Sequence, residues 1–315
     1  MCESMITIVG GAGRVGVTTA AMVLIRELDD VMLIDIKEKE NAVKGEALDL
    51  NHMAAALGVS VKAYGSADYK SMEGSDLVIV TAGFPRKPGQ TREDLLRVNA
   101  DVIKAVAENI SKYAPEAPVI LTTNPLDAMT YVMYKKLKAP RERVIGFSGM
   151  LDAPRLAYYA SLKLGISPAS IHPVVLGMHG ENMFPAPRLS TIGGAPLTSF
   201  LSPSDIDEIV KQTVQAGGEI TKLRGYSSNW GPAAGVALMA ESIKKNQHRV
   251  FIASVYLDGE YGYRDVIAEV PVVLGRKGVE KIIELPLTEE EKKGLDKSIQ
   301  AVRDLINALP PEYKT

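Results

Sequence analysis

His179 stands in Gly177-Met178-His179-Gly180-Glu181, directly behind an apolar run, and its small neighbours leave the ring accessible. Upstream, Leu151-Asp152-Ala153-Pro154-Arg155 opens a helical pattern and sets a carboxylate and a guanidinium three residues apart on one face. Taken singly, the histidine proves little, and the Asp152–Arg155 pair reads equally as a surface ion pair. Taken together they describe a general acid/base. If Asp152 accepts the ring N–H, the carboxylate fixes the tautomer and raises the imidazole's proton affinity into the range useful at neutral pH.

A second constellation concerns phosphate. Gly11-Ala12-Gly13-Arg14-Val15-Gly16 is a G-x-G-x-x-G that follows a strand pattern and opens a helix. Its glycines allow a tight turn and close approach to a pyrophosphate, whose charge sits at the helix N-terminus. Asp35 ends the next strand 19 residues after Gly16, where an acid binds a ribose 2′-hydroxyl. That carboxylate repels the extra phosphate of NADP, so NAD is expected, although Lys37 and Lys39 soften the repulsion and leave NADP use open. The alternative is a glycine turn that serves only helix–strand packing.

The segment from Gly83 to Arg92 carries Arg86 and Arg92 among Pro and Gly. It reads as a cationic lid or as a solubilising loop, and arginine suits carboxylates because its planar fork makes two parallel charge-assisted bonds. Thr122-Thr123-Asn124-Pro125 ends another strand, and Asn124 there either bonds a substrate oxygen or caps the following helix. No two of His52, His172, His179 and His248 have metal-ligand spacing, so no metal is expected.

Strand and helix patterns alternate through the first half. Apolar runs at Met5–Gly10, Val31–Ile36, Val59–Tyr64, Asp76–Thr81, Val119–Thr123 and Val144–Phe147 read as strands, separated by helical patterns such as Ala42–Leu57 and Glu93–Tyr113. Six such strands with crossovers predict an α/β fold, a Rossmann-type doubly wound parallel sheet. Past Phe147 the rhythm changes to a helix at Leu151–Leu164, a strand at Ile171–Met178 and two further long helical patterns. This predicts a dinucleotide-binding domain at 1–147 followed by an α+β catalytic domain at 148–315, with a site where they meet.

Composition narrows the partners. The 315 residues carry 36 basic and 38 acidic side chains, a balance without the positive excess that nucleic-acid binding demands. No stretch is both apolar and charge-free over the length of a membrane span, and Glu3 stands where a signal peptide carries a basic residue. The single cysteine, Cys2, rules out an internal disulfide and fits a reducing cytoplasm.

Collected, these segments resemble the lactate/malate dehydrogenase superfamily end to end, and most closely its lactate-dehydrogenase-like malate dehydrogenases of archaea and some bacteria. The resemblance rests on Gly11–Gly16 with Asp35, the Arg86-Lys87-Pro88-Gly89 loop ending in Arg92, Thr123-Asn124-Pro125, Asp152 with Arg155, His179-Gly180, and Gly231-Pro232-Ala233-Ala234. It implies reversible oxidation of (S)-malate to oxaloacetate, with His179 taking the hydroxyl proton and Asp152 stabilising the imidazolium. Arg155 would clamp the carboxylate beside the reacting carbon, Arg92 would polarise the carbonyl, Asn124 would position the substrate oxygen, and Arg86 would bind the distal carboxylate. Ser228 would join the substrate pocket. Gly11, Gly13, Arg14, Val15, Gly16, Asp35, Thr81, Ala82, Gly83, Asn99, Thr122 and Asn124 would hold the cofactor.

Arg86 speaks for a dicarboxylate, because the family's lactate enzymes place Gln at the matching position. Glu181, where Asp is usual, and Gln90, where Met is frequent, depart from the common pattern, and the stretch Arg224–Gly231 runs one residue long. A homodimer or homotetramer is implied, with the Ala42–Leu57 helix as an apolar interface. The competing readings are a lactate or other 2-hydroxyacid dehydrogenase, a metal-requiring NAD-dependent glycosidase, and a non-catalytic nucleotide-binding protein.

Overall fold

The computed structural model describes residues 4–85 and 91–315, without the side chain of Arg92. In chain order the first half comprises β1 (Met5–Val9), α1 (Arg14–Ile25), β2 (Asp30–Ile34), α2 (Glu40–Leu57), β3 (Ala63–Ser66), β4 (Ser75–Val80), α3 (Arg92–Tyr113), β5 (Val119–Leu121), α4 (Leu126–Leu137) and β6 (Val144–Gly146). The second half comprises α5 (Gly149–Leu164), β7 (Ile171–His172), β8 (Val175–Gly177), β9 (Met183–Pro185), β10 (Thr191–Ile192), β11 (Ala195–Pro196), α6 (Pro203–Arg224), α7 (Trp230–Lys244), β12 (Arg249–Asp258), β13 (Arg264–Gly275), β14 (Gly278–Ile282) and α8 (Glu289–Ala308).

The first six strands are parallel in the order β3-β2-β1-β4-β5-β6, the doubly wound arrangement expected from the alternation of patterns. Helices cover both faces, so Ile6, Ile8, Leu77, Val78, Ile79 and Val80 have no exposed surface and their strands can be apolar throughout. The sheet then continues through β12, β13, β8 and β9 in antiparallel pairings, joined to the parallel part where Ser254 pairs with Gly146. One continuous sheet therefore carries residues of both halves to a common edge.

Four features differ from the sequence patterns. The third strand lies at Ala63–Ser66 rather than Val59–Tyr64, because its pairing with β2 begins at Val31↔Ala63 and Asn51 of α2 holds both backbone groups of Ala63. The run Ile171–Met178 is broken at Pro173. With no N–H at Pro173 and the Val174 N–H donated to Ser190 Oγ, β7 joins a small sheet with β10 and β11 while β8 joins the main one. The late region holds three long helices, α6, α7 and α8, not two, and the long β12–β13 pair went unread because its apolar run is buried on both faces.

Helix α7 packs on α1 and on α5, and against the start of α5 only glycine fits. A Cβ at Gly235 would stand 2.5 Å from Phe147 Cε2 and 2.8 Å from the Met150 carbonyl oxygen. Gly235→Ala is expected to lose about 1–3 kcal/mol in urea unfolding through overpacking; wild-type stability would show that this contact yields without cost.

Candidate active site

The glycine turn joins β1 to α1 at the carboxyl edge of the sheet. Gly10 and Gly11 both donate to the Ile34 carbonyl, which folds the turn against β2. Gly10 takes a left-handed φ of 87°, and a Cβ there would lie 2.6 Å from the Ala82 nitrogen. A Cβ on Gly16 would lie 2.5 Å from the Gly10 carbonyl oxygen, and one on Gly11 2.7 Å from Leu33 Cβ. Gly13 caps α1 without a side-chain acceptor, so the first N–H groups of the helix face an open turn. The cradle is thus free of side chains where a dinucleotide's diphosphate would approach. Gly10 supplies the turn's left-handed residue although it lies outside the G-x-G-x-x-G.

Asp35 leans against this turn, accepting from Ala12 N at 3.0 Å and Ile36 N at 2.9 Å, with Lys39 Nζ 3.6 Å away. Thr81 donates to the Val9 and Gly10 carbonyls, and Thr122 to that of Val80. Val15, Thr122 and Asn124 line the cavity described below, and the Gly83 backbone abuts Thr123, whose Cγ2 would stand 2.5 Å from a Cβ at that glycine. Asn99 is 1 % exposed and fully committed: it accepts from Phe84 N and donates to the carbonyls of Phe84 and Asn124. Its side chain latches two loops together, so any contribution to cofactor binding runs through the loops it holds.

His179 and Asp152 meet. His179 Nδ1 lies 2.6 Å from Asp152 Oδ2, while Arg155 Nη1 donates to Asp152 Oδ1 at 3.0 Å. Asp152 lies in the first turn of α5, where the helix dipole favours a negative charge, and is wholly buried. The imidazole follows β8 at a bend made by left-handed Gly177 (φ 93°) and Gly180 (φ 101°). Ser298 of α8 accepts from Met178 N and so fixes that bend. With Nδ1 engaged, Nε2 is the ring nitrogen left to a cavity of about 300 Å³, which Arg155, Ser227, Ser228 and Glu181 also line. Arg86 and Gln90 lie outside the described residues, as does the side chain of Arg92.

Two carboxyls escaped the sequence reading. Asp127 of α4 accepts from His179 N (2.9 Å) and from Ser254 Oγ (2.7 Å), holding the backbone beneath the imidazole. Glu269 of β13 lies fully buried in the space that Gly149 leaves at the start of α5, where a Cβ would come 2.7 Å from Glu269 Oε1. Neither of its oxygens has a hydrogen-bond partner among the described residues. The only signal for either was an acid inside an apolar run, Leu126–Met133 and Val266–Leu274.

Burial works against the imidazolium, but the charge and hydrogen bond of Asp152, helped by Asp127, outweigh it and raise His179 above the ordinary histidine value. Burial pushes Asp127 up to about 6 despite the Ser254 bond. Burial, with Asp152 and Asp127 nearby, also lifts Glu269 well above the glutamate range. Because the folded chain holds that proton more tightly than the unfolded one, Glu269 costs stability progressively as the pH rises above the ordinary glutamate value. Glu269→Gln is therefore expected to match wild type most nearly at about pH 4 and to gain on it by more than about 1 kcal/mol by about pH 8 in urea unfolding; an equal difference at both would mean that Glu269 titrates normally.

Comparison with known proteins gives the family of the chain. Residues 4–146 match the family model for the NAD binding domain of lactate/malate dehydrogenases, and residues 149–310 match that for the alpha/beta C-terminal domain. The malate dehydrogenase of Caldivirga maquilingensis is 63% identical over 98% of this chain and 99% of its own. The solved malate dehydrogenase of Aeropyrum pernix superposes with a TM-score of 0.95 at 56% identity, covering 99% of this chain and 100% of that one. A lactate dehydrogenase of Eimeria maxima, solved with NADH and oxamate, gives a TM-score of 0.92 at 38% identity over 97% and 94% of the two chains. With both family models matched across nearly the whole chain and relatives this similar, the chain belongs to the lactate/malate dehydrogenase family, whose N-terminal part is an NAD binding domain.

Proposed function

We propose that this chain interconverts (S)-malate and oxaloacetate with NAD, using His179 as the acid/base. The observation that carries the reading is the 2.6 Å contact between His179 and Asp152 beside Arg155 in one cavity. Relatives 56–63% identical to this chain that bear the name malate dehydrogenase support the choice of substrate. NAD, when bound, supplies the hydride acceptor. The division of labour follows residues 1–147 for the cofactor and 148–315 for the substrate.

In the oxidation direction, neutral His179 takes the hydroxyl proton at Nε2 while Asp152 holds Nδ1–H and balances the new charge. In the reduction direction the imidazolium returns that proton to the carbonyl oxygen. Arg155 keeps one donor on Asp152 and directs the rest of its fork to the substrate carboxylate that lies next to the reacting carbon. Asn124 orients the substrate oxygen, Ser228 bounds the pocket, Arg92 polarises the carbonyl and Arg86 neutralises the second carboxylate. Asp35 with the cradle of Gly11, Gly13 and Gly16 holds the nucleotide, flanked by Arg14, Val15, Thr81, Ala82, Gly83 and Thr122.

Association and location complete the reading. Leu162, Leu223 and Trp230, 63%, 78% and 63% exposed, line an apolar groove of about 870 Å³ between α5, α6 and α7, and Leu48 of α2 is 58% exposed. These surfaces support a homodimer or homotetramer. No helix among the described residues is long and apolar enough to cross a membrane, and with a single cysteine the cytoplasm is the proposed compartment. Sedimentation is expected to give a multiple of 33.9 kDa; a monomer at assay concentration would remove the subunit interface from this reading.

Initial rates with oxaloacetate and pyruvate, each with NADH and NADPH, test the substrate and cofactor together. Oxaloacetate with NADH is expected to be fastest, and a pyruvate preference would favour the 2-hydroxyacid alternative. Arg86→Gln is expected to lower kcat/KM for oxaloacetate on the order of 30-fold or more, the cost of leaving one desolvated carboxylate unpaired. Wild-type activity in that variant would take Arg86 out of substrate recognition.

A further inference from the structure

Two arginines stack on one tyrosine where the glycine turn meets the substrate cavity. Arg14 Cζ lies 4.0 Å from the centroid of the Tyr226 ring, and Arg224 Cζ lies 4.2 Å from it. Arg14 is the first residue of α1, directly after Gly13, whereas Arg224 ends α6 and Tyr226 belongs to the short connection into α7. That connection delivers Ser227 and Ser228 to the cavity wall.

Hydrogen bonds close the stack into a ring. Arg224 Nη2 donates to Asn229 Oδ1 at 2.8 Å, Asn229 Nδ2 donates to Thr18 Oγ1 at 3.1 Å, and Thr18 Oγ1 donates to the Arg14 carbonyl at 2.7 Å. Asn229 and Thr18 are 6% and 9% exposed, so water competes little for these bonds. Neither guanidinium has a carboxylate partner among the described residues. Two cations with no carboxylate partner among the described residues, Arg14 at the N-terminus of α1 and Arg224 at the end of α6, gathered on one ring, make a place prepared for an anion. Tyrosine accomplishes this where an acid would not, because it gathers the guanidiniums without cancelling the charge that the anion needs.

We propose that Tyr226 is a positioning residue that couples the two halves of the site: by holding Arg14 and Arg224 together it draws Ser227 and Ser228 into place when the cofactor's diphosphate neutralises the stack. This rests on the NAD reading of the glycine turn. The chemistry of His179 and Asp152 does not pass through the stack, so its loss acts on substrate and cofactor affinity and spares turnover.

The test compares Tyr226→Leu, which keeps apolar bulk and loses the aromatic face, with Tyr226→Phe, which keeps the face. NADH affinity is read by fluorescence titration, and KM and kcat for oxaloacetate at saturating NADH. The leucine variant is expected to bind NADH about five-fold more weakly and to raise KM about five-fold or more, with kcat within about two-fold, while phenylalanine restores wild-type values. Unchanged NADH affinity or unchanged KM in Tyr226→Leu overturns the coupling, as does a fall in kcat with thermal stability, which would mark a packing role alone. If wild type binds NADH but leaves oxaloacetate untouched, the functional reading fails, and coupling is judged by whether Tyr226→Leu still weakens NADH and phenylalanine restores it.

Discussion

A carboxylate without solvent, bonded to an imidazole, is the constraint around which the rest of this structure is arranged. Asp152 has no exposed surface, and an isolated charge so placed would be very costly. It is tolerable because two nitrogen groups reach it, the Arg155 guanidinium from the next turn of the same helix and the His179 ring from the end of β8. The helix pair is local, but the imidazole comes from a strand reached only through the β12–β13 pair. The bends at Gly177 and Gly180, the Ser298 bond and the Asp127 carboxylate all serve to present one ring at one angle.

The same sheet gathers more acid than the pair requires. Asp127, Asp152 and Glu269 lie close together on elements α4, α5 and β13, facing one imidazole and one guanidinium. Asp152 is balanced by its donors and Asp127 is held by Ser254 and a backbone N–H. Glu269 has neither compensation, so burial and the neighbouring carboxylates make it hold its proton more tightly than an ordinary glutamate where it sits against Gly149. A buried polar group of this kind marks a region shaped by the electrostatics of the site as well as by stability.

The nucleotide side relies on absence of side chains instead. Crowding at Gly10, Gly11 and Gly16 lets backbone meet backbone, and the uncapped start of α1 leaves its N–H groups for an anion. Arg14 stands at that start and reaches Tyr226 across the boundary between the halves. The cofactor turn and the substrate wall are therefore neighbours through one stacked ring, as well as through the shared sheet.

The doubly wound half was legible in the chain because period and punctuation carry it: two-sided apolar runs, helical spacing, and a glycine turn with an acid at the end of the next strand. The proposed acid/base pair was legible as residue types, His179 with small neighbours and Asp152 with Arg155 at helical spacing. Their meeting was expected only conditionally and through the family resemblance, since 27 residues and two strands separate them and it is the sheet order that brings them to 2.6 Å. Asp127 and Glu269 were invisible because a single acid in an apolar run has the same local pattern whether it is buried or at an edge. The break at Pro173, the start of β3 at Ala63 and the Arg14–Tyr226–Arg224 stack all depend on partners distant in sequence. Local spacing determined which groups could act; packing decided which of them touch, because burial and strand neighbours are properties of the whole chain.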